Sequence, residues 1–502
     1  MSDKIREAYA LDDMQTDRKK TSSPTRKDGL QRLASSSDDG FGSAVASTNA
    51  VENVNAEEEA TASQTAYKIY KRRWYGLVVL TLMNIIVSWD WLTFSPVSQH
   101  AAAYYRHSEA DINWFSTAFL FAFVFASPLA MYMLHLGPKA SIVSAAVFLI
   151  IGNVVRVAGS HSRSGGNFGA VMFGQIVIGF AQPFVLIAPT RYSDMWFSTR
   201  GRVAATALPS LANPFGAAIG ELVVPFLATK AEEVSLAVIV TTVISVVIAL
   251  PAFFIPSRPP TPPGPSGTTP KATLNDLRAA LPHLRNVELW LILIPFAVYV
   301  GFFNSISSLL NQILLPYDFT SDEAGIAGAI LIFVGLVTSA ITSPILDRTK
   351  AFLLAIKVCV PILGLSLLAF VFVPATRDLA GPYVVLAVFG ASAFALLPVA
   401  LEFMCELTHP LSPEITSTVA WAISQLLGGV FIVISSALRD GENAQPPYNL
   451  RRALIFTAVI GLVLVPLPMS LGLFGRKDNV VMRRALSDEE ARRRESGAGV
   501  EA

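Results

Sequence analysis

Only two cysteines occur in 502 residues, Cys359 and Cys405, both inside long apolar runs, so no disulfide framework is expected and both act as small packing residues. No Asn-x-Ser/Thr triplet occurs, which removes any ordinary N-glycan acceptor from the loops. A glycine-rich phosphate loop with its lysine, a zinc-ligand spacing and a nucleophile elbow are all missing. Their absence argues against an enzyme and against ATP-driven pumping, and it leaves no residue to assign as catalytic or as a metal ligand. No cofactor and no nucleic-acid partner is expected. Charge is scarce as well, at 15% of residues with a net of +1.

What abounds is apolar sequence, 52% of the chain. It falls into runs of about 20 residues, which at about 1.5 Å per residue cross a hydrocarbon core of about 30 Å. Twelve spans are expected, at 74–97, 112–135, 139–159, 169–189, 203–227, 235–255, 288–315, 324–346, 352–373, 383–406, 415–438 and 453–474. The fold class is an all-α membrane protein. The first 67 residues are polar and begin MSDKIREAYA rather than with a short basic stretch and an apolar core, so the first span is expected to act as its own insertion signal.

Lys68, Lys71, Arg72 and Arg73 abut the first span, and Arg476, Lys477, Arg483 and Arg484 follow the last. By the positive-inside tendency both tails are cytoplasmic. Residues 1–67, rich in Ser, Asp and Ala with a basic cluster at Arg18, Lys19 and Lys20, read as a disordered tail, and residues 475–502 as a second tail. Between spans six and seven, residues 256–284 contain PSRPPTPPGPSGTTPKATL, which proline bars from helix and biases toward polyproline II. This is a linker, either a plain spacer or a phosphorylation site at Thr261 or Thr269. It divides the chain into six-helix halves, 68–255 and 285–474.

The halves resemble each other. Thr206, Asn213 and Gly216 in span five have the same spacing as Thr418, Gln425 and Gly428 in span eleven, 212 residues on. Pro183 in span four has its counterpart in Pro398 in span ten. Two related six-helix halves with polar and small residues at matching places describe a transporter with its path between the repeats.

LDRTK, from Leu346 to Lys350, resembles the acidic and basic cluster that follows span eight in the major facilitator superfamily. The matching loop after span two, MLHLGPKA, keeps Gly137 and Lys139 but has Leu134 where the carboxylate is expected. The resemblance implies a gating role for Asp347 and Arg348. It narrows further, because SWDWLTFSP, FGQIVIGFAQPFVLIAPTRYSDMWF, ANPFGAAIG, SISSLLNQILL, LDRTK and LEFMCELTHP occur in that order. Together they resemble the feline leukaemia virus subgroup C receptor-related transporters of solute carrier family 49, over about residues 74–474. Membership implies a major facilitator fold and transport of choline or ethanolamine, with haem or a pyridine vitamin assigned to some members. The family site is implied to include Trp91 and Gln182, whereas its tyrosine in span seven is replaced here by Asn304, and Glu402 and Glu406 cover its acidic motif.

The same residues can be read without the family. A quaternary ammonium cannot donate an N–H bond and is held by aromatic faces worth about 0.5–2 kcal/mol each when desolvated, a role suited to Trp91. Asn304 substitutes an amide for an aromatic wall, which favours a more polar ligand. Asn311 and Gln312 in span seven are candidate ligand contacts, and Asn213 and Gln425 read as bonds between helices. An acid within the bilayer costs at least about 2.5–3.5 kcal/mol unless paired, protonated or facing a polar cavity. For Asp90 three roles compete: counter-charge to a cationic solute, proton carrier, or structural partner of a buried base such as Arg156 or Lys357. Glu402 is expected to serve solute or proton and Glu406 gating, while Glu221 is either solvated or functional. Trp114 and Trp196 read as interfacial anchors.

The expected function is alternating-access transport of a choline-like cation. The alternatives are proton-coupled export of a metabolite or haem, and a membrane sensor or adaptor acting through its tails. A monomer suffices for any of these. The plasma membrane is the default location, with vacuolar and mitochondrial membranes as alternatives.

Overall fold

The computed structural model describes residues 69–162, 164–261, 286–349, 351–408 and 413–471. Both tails as assigned from the sequence, and most of the linker, lie outside the described residues. Among the described residues, twelve helical spans are long and apolar enough to cross a membrane. Spans 1 to 6 are Arg73–Tyr105, Glu109–Leu136, Pro138–His161, Phe168–Trp196, Ala204–Leu227 and Ala231–Phe254. Spans 7 to 12 are Val287–Tyr317, Ser321–Leu346, Phe352–Phe370, Ala380–Thr408, Glu414–Ala437 and Arg451–Met469. Successive spans alternate in direction. The face where span 1 begins and span 12 ends is the tail face, and the opposite one the far face. Large side chains such as Phe125, Phe254 and Val247 point outward without cover, as lipid-facing positions do.

The packing repeats between halves. Span 1 lies on span 5, span 2 on span 4 and span 3 on span 6, while span 7 lies on span 11, span 8 on span 10 and span 9 on span 12. Close approach depends on glycine at equivalent places. A Cβ at Gly216 of span 5 would collide with the backbone of Ile85, and one at Gly390 of span 10 with that of Leu331. Gly179 of span 4 meets Phe119 of span 2 in the same way, one repeat earlier than Gly390 meets Leu331. Span 5 packs on span 8 and span 11 on span 2, so the two halves meet through matching pairs.

Span 1 is not one helix. Its first segment, Arg73–Trp91, stops after Trp91; a 3-10 turn at Ser95–Val97 and a second segment, Ser98–Tyr105, follow. Pro96 cannot donate to the carbonyl of Leu92, which keeps the helix from resuming there. The span expected to end at residue 97 therefore continues to Tyr105. Span 4 is similarly divided, into Phe168–Leu186 and Ala188–Trp196, at Pro189.

Candidate functional site

Each break frees backbone carbonyls that lipid cannot satisfy, so side chains must. In span 4, the carbonyl of Phe184 accepts from Ser141 Oγ at 2.6 Å and that of Val185 from Asn84 Nδ2 at 3.1 Å. Val185 is the residue whose usual donor would have been the missing N–H of Pro189.

The break in span 1 is held by a buried polar network that engages both terminal nitrogens of Arg156 and leaves its Nε unpartnered among the described residues. Arg156 of span 3, fully buried, donates through Nη2 to Asp90 Oδ1 at 2.6 Å and to Asn153 Oδ1 at 2.7 Å. Its Nη1 reaches Gln175 Oε1 at 3.0 Å and the freed carbonyl of Asp90 at 3.3 Å. Gln175 Nε2 donates to the same carbonyl at 3.0 Å. The second oxygen of Asp90 accepts from Asn153 Nδ2 and from Ser245 Oγ of span 6, each at 2.9 Å. Spans 1, 3, 4 and 6 are thus joined around one ion pair with no solvent access.

Of the three roles weighed for Asp90, this geometry is that of a structural partner. Both carboxylate oxygens and the guanidinium are engaged inside the first half, facing neither solute nor solvent. The other candidate base, Lys357, sits half-buried on span 9 of the other half. Gln175, Asn153 and Ser245 were not singled out from the sequence. One signal was present: Gln175 lies two helical turns before Gln182 on the same face.

Beside this network lies Trp91. Its ring stacks on Phe119 of span 2, with centroids 6.5 Å apart and planes at 26°. The backbone of Phe119 in turn packs on Gly179 of span 4, close to one turn before Gln182. Trp91 and Gln182 are each 3% exposed, yet Trp91 Nε1 and Gln182 Oε1 have no hydrogen-bond partner among the described residues. Trp89 Nε1 and Ser308 Oγ are buried without partners as well. Unpartnered buried polar atoms are costly unless something satisfies them in use.

The second half departs from expectation at three positions. Asn304 does not face the Trp91 side as a free amide; its Nδ2 donates to Gln425 Oε1 at 2.6 Å, locking span 7 to span 11. Asn311 and Gln312 lie in a clasp between halves at the far face rather than free to meet a ligand. Ser98 Oγ donates to Asn311 Oδ1 at 3.2 Å, and Gln312 exchanges two bonds with Asn113, at 2.7 and 3.2 Å. Asn113 Nδ2 also donates to Ser436 Oγ at 2.9 Å, and Arg439 pairs with Glu109 at 3.3 Å. The amides expected to bind solute are taken up by bonds between helices, Asn304 within the second half, and Asn311 and Gln312 because residues near the far end of span 7 abut spans 1 and 2.

The remaining candidates are dispersed. Glu402 is half-buried and Glu406 buried on span 10, and Arg348 is exposed at the tail-face end of the helix that forms span 8. The side chain of Asp347 lies outside the described ones. Trp114 is exposed, as an anchor should be, but Trp196 is buried and stacks on Tyr192, because the second segment of span 4 turns it into the bundle. Glu221 is fully buried rather than solvated. Among the described residues no cluster of His, Cys, Asp and Glu is arranged to hold a metal ion.

Residues 80–410 match the family model of the Major Facilitator Superfamily. The chain is 31% identical over 402 residues to solute carrier family 49 member A3 of Danio rerio, covering 78% of this chain and 84% of that protein. It is 27% identical over 406 residues to the choline/ethanolamine transporter FLVCR1 of Felis catus, covering 77% and 71%. Among solved structures, a D-xylose-proton symporter superposes with a TM-score of 0.60 at 14% identity, covering 78% of this chain and 97% of that one. The nucleoside transporter NupG gives 0.59 at 14% identity, covering 79% and 99%. At such identities the likeness is one of fold alone.

Proposed function

The chain belongs to the major facilitator superfamily and, within it, to solute carrier family 49, and from that premise we propose that it carries a choline- or ethanolamine-like amino alcohol across the membrane by alternating access. The observation that carries this reading is that two buried polar groups are left unpartnered among the described residues, a donor on Trp91 at the break in span 1 and an acceptor on Gln182 in span 4. A hydroxyl is both acceptor and donor, so it complements both, while the ammonium end suits an aromatic face. The relatives whose names include choline and ethanolamine support the same class.

The basic residues Lys71, Arg72 and Arg73 beside span 1 support a cytoplasmic tail face, which makes the far-face clasp the outer gate. We assign Asp347, Arg348 and Glu406, near tail-face helix ends, to the inner gate and Glu402 to solute or proton. The plasma membrane follows as the working location, checked by surface biotinylation. The test is uptake of radiolabelled choline and of ethanolamine into transport-deficient cells by the unaltered protein, Trp91→Ala and Gln182→Ala. Each substitution is expected to cut uptake by tenfold or more, corresponding to about 1.4 kcal/mol or more. A surface-expressed protein that takes up neither solute overturns the reading.

A further inference from the structure

Glu221 sits in span 5, on the side of the first half that packs against span 8 of the second half. It is 1% exposed, and its carboxyl lies flat on Gly328: a Cβ built there would come within 3.0 Å of the carboxyl carbon and 3.1 Å of Oε2. One turn away on span 8, Gly325 admits the main-chain carbonyl of Glu221 just as closely. Gly328 thus takes the side chain and Gly325 the main chain of Glu221, so spans 5 and 8 meet here with no room for a Cβ at either position unless a neighbour moves. Glu221 Oε1 has no hydrogen-bond partner among the described residues.

The titratable groups on the elements around it do not compensate it. On span 8, Asp322 and Glu323 begin the helix, and Glu323 Oε2 accepts from the Thr320 N–H at 2.8 Å. On span 1, Asp90 is paired with Arg156, and His100 lies half-buried in the far segment. Beyond span 5, Lys230 is exposed, Glu232 is exposed in the 3-10 turn that begins span 6, and Glu233 Oε2 bonds Thr229. A carboxylate buried without a cation or donors is strongly disfavoured, so a carboxyl in this slot carries a proton or a bound cation. A sodium ion needs several oxygen ligands and the slot supplies one side chain, which leaves the proton.

We infer that Glu221 is a proton-binding site that governs closure of the far face: spans 5 and 8 come together there only with the carboxyl protonated, and their separation exposes it to water and releases the proton. This rests on the alternating-access reading and is independent of which solute is carried. Proton uptake favours the far-closed form, so the ratio of open to closed rises with pH, by up to about tenfold per unit for one proton.

The test follows the distance between spin labels at Ala103→Cys and Ala375→Cys, exposed far-face positions on the two halves, with Cys359 and Cys405 replaced by alanine. Protein in lipid nanodiscs is measured without solute at about pH 5.5 and about pH 8. The longer-distance population is expected to grow with pH, Glu221→Gln to abolish that growth, and exchange of sodium for potassium to change nothing. A native distance indifferent to pH, or an unchanged pH response in Glu221→Gln, overturns the inference, and a response to sodium at fixed pH reassigns the site to a metal cation and overturns the proton. Gly328→Ala is a second variant: it crowds the carboxyl and is expected to enlarge the open population at both pH values while keeping its rise with pH. An open population indifferent to Gly328→Ala refutes the packing argument even if Glu221→Gln fails to fold. Because no solute is present, failure of the choline or ethanolamine assignment leaves this outcome untouched.

Discussion

The two halves use one packing plan with opposite internal chemistry. In the first, Asp90 and Arg156 form a fully buried ion pair around which spans 1, 3, 4 and 6 share hydrogen bonds. In the second, the corresponding region is held by neutral contacts, such as Tyr299 Oη donating to the Gly461 carbonyl at 2.7 Å and the Asn304–Gln425 amide pair. Span 7 runs as one helix from Val287 to Leu314, whereas span 1 breaks at Trp91. The difference teaches what the acid between two indoles is for: a broken helix exposes carbonyls, a guanidinium can reach several acceptors at once, and a carboxylate makes burying that guanidinium tolerable.

The comparison breaks most sharply at its charged centre. Arg156→Ala leaves the Asp90 carboxylate buried without its counter-charge, and is expected to cost about 3–5 kcal/mol, seen as loss of the folded peak in size-exclusion chromatography or of a cooperative thermal transition. Replacing both, as Asp90→Leu with Arg156→Met, is expected to recover much of that stability but not transport, since the carbonyl of residue 90 loses its guanidinium donor and keeps only neutral ones. Recovery of full uptake by the pair would show that the network holds the fold and nothing more.

In the second half the analogous injury is milder. Gln425→Ala removes one neutral partner of Asn304 and is expected to cost about 0.5–2 kcal/mol, measured as a shift in thermal midpoint in detergent. An effect as large as that of Arg156→Ala would erase the contrast between halves. At the seam, Asn113→Ala deletes three hydrogen bonds that cross at the far face. It is expected to open that face, read as faster labelling of Ser98→Cys by a membrane-impermeant maleimide, with little change in thermal midpoint. The smallest effect is expected from Glu109→Gln, whose half-exposed pair with Arg439 contributes about 0–1 kcal/mol and weakens with added salt.

The repeat was visible in the spacing of Asn213 and Gly216 against Gln425 and Gly428, and the structure gives it content. Asn213 Nδ2 reaches the Asn84 carbonyl at 3.4 Å on span 1, and Gln425 meets Asn304 on span 7, so each amide joins the first span of its half to the fifth. Trp91 and Gln182 were legible together only through the family resemblance, because nothing in the local sequence marks their buried polar atoms as unpartnered. Asn311 and Gln312 look the same in sequence whether they bind solute or Asn113. What separates those readings is a contact between residues about 200 positions apart.

The span count, the polar breaks and the internal repeat were determined by the sequence itself, since a bilayer demands long apolar runs whose backbone bonds are local and whose interruptions are written as proline and glycine. Which buried group meets which was decided only by the tertiary structure. The fates of Asp90, Asn304, Gln312 and Glu221 depend on the face each helix turns to its neighbour, and that is set by the packing of all twelve spans at once rather than by any local stretch of chain.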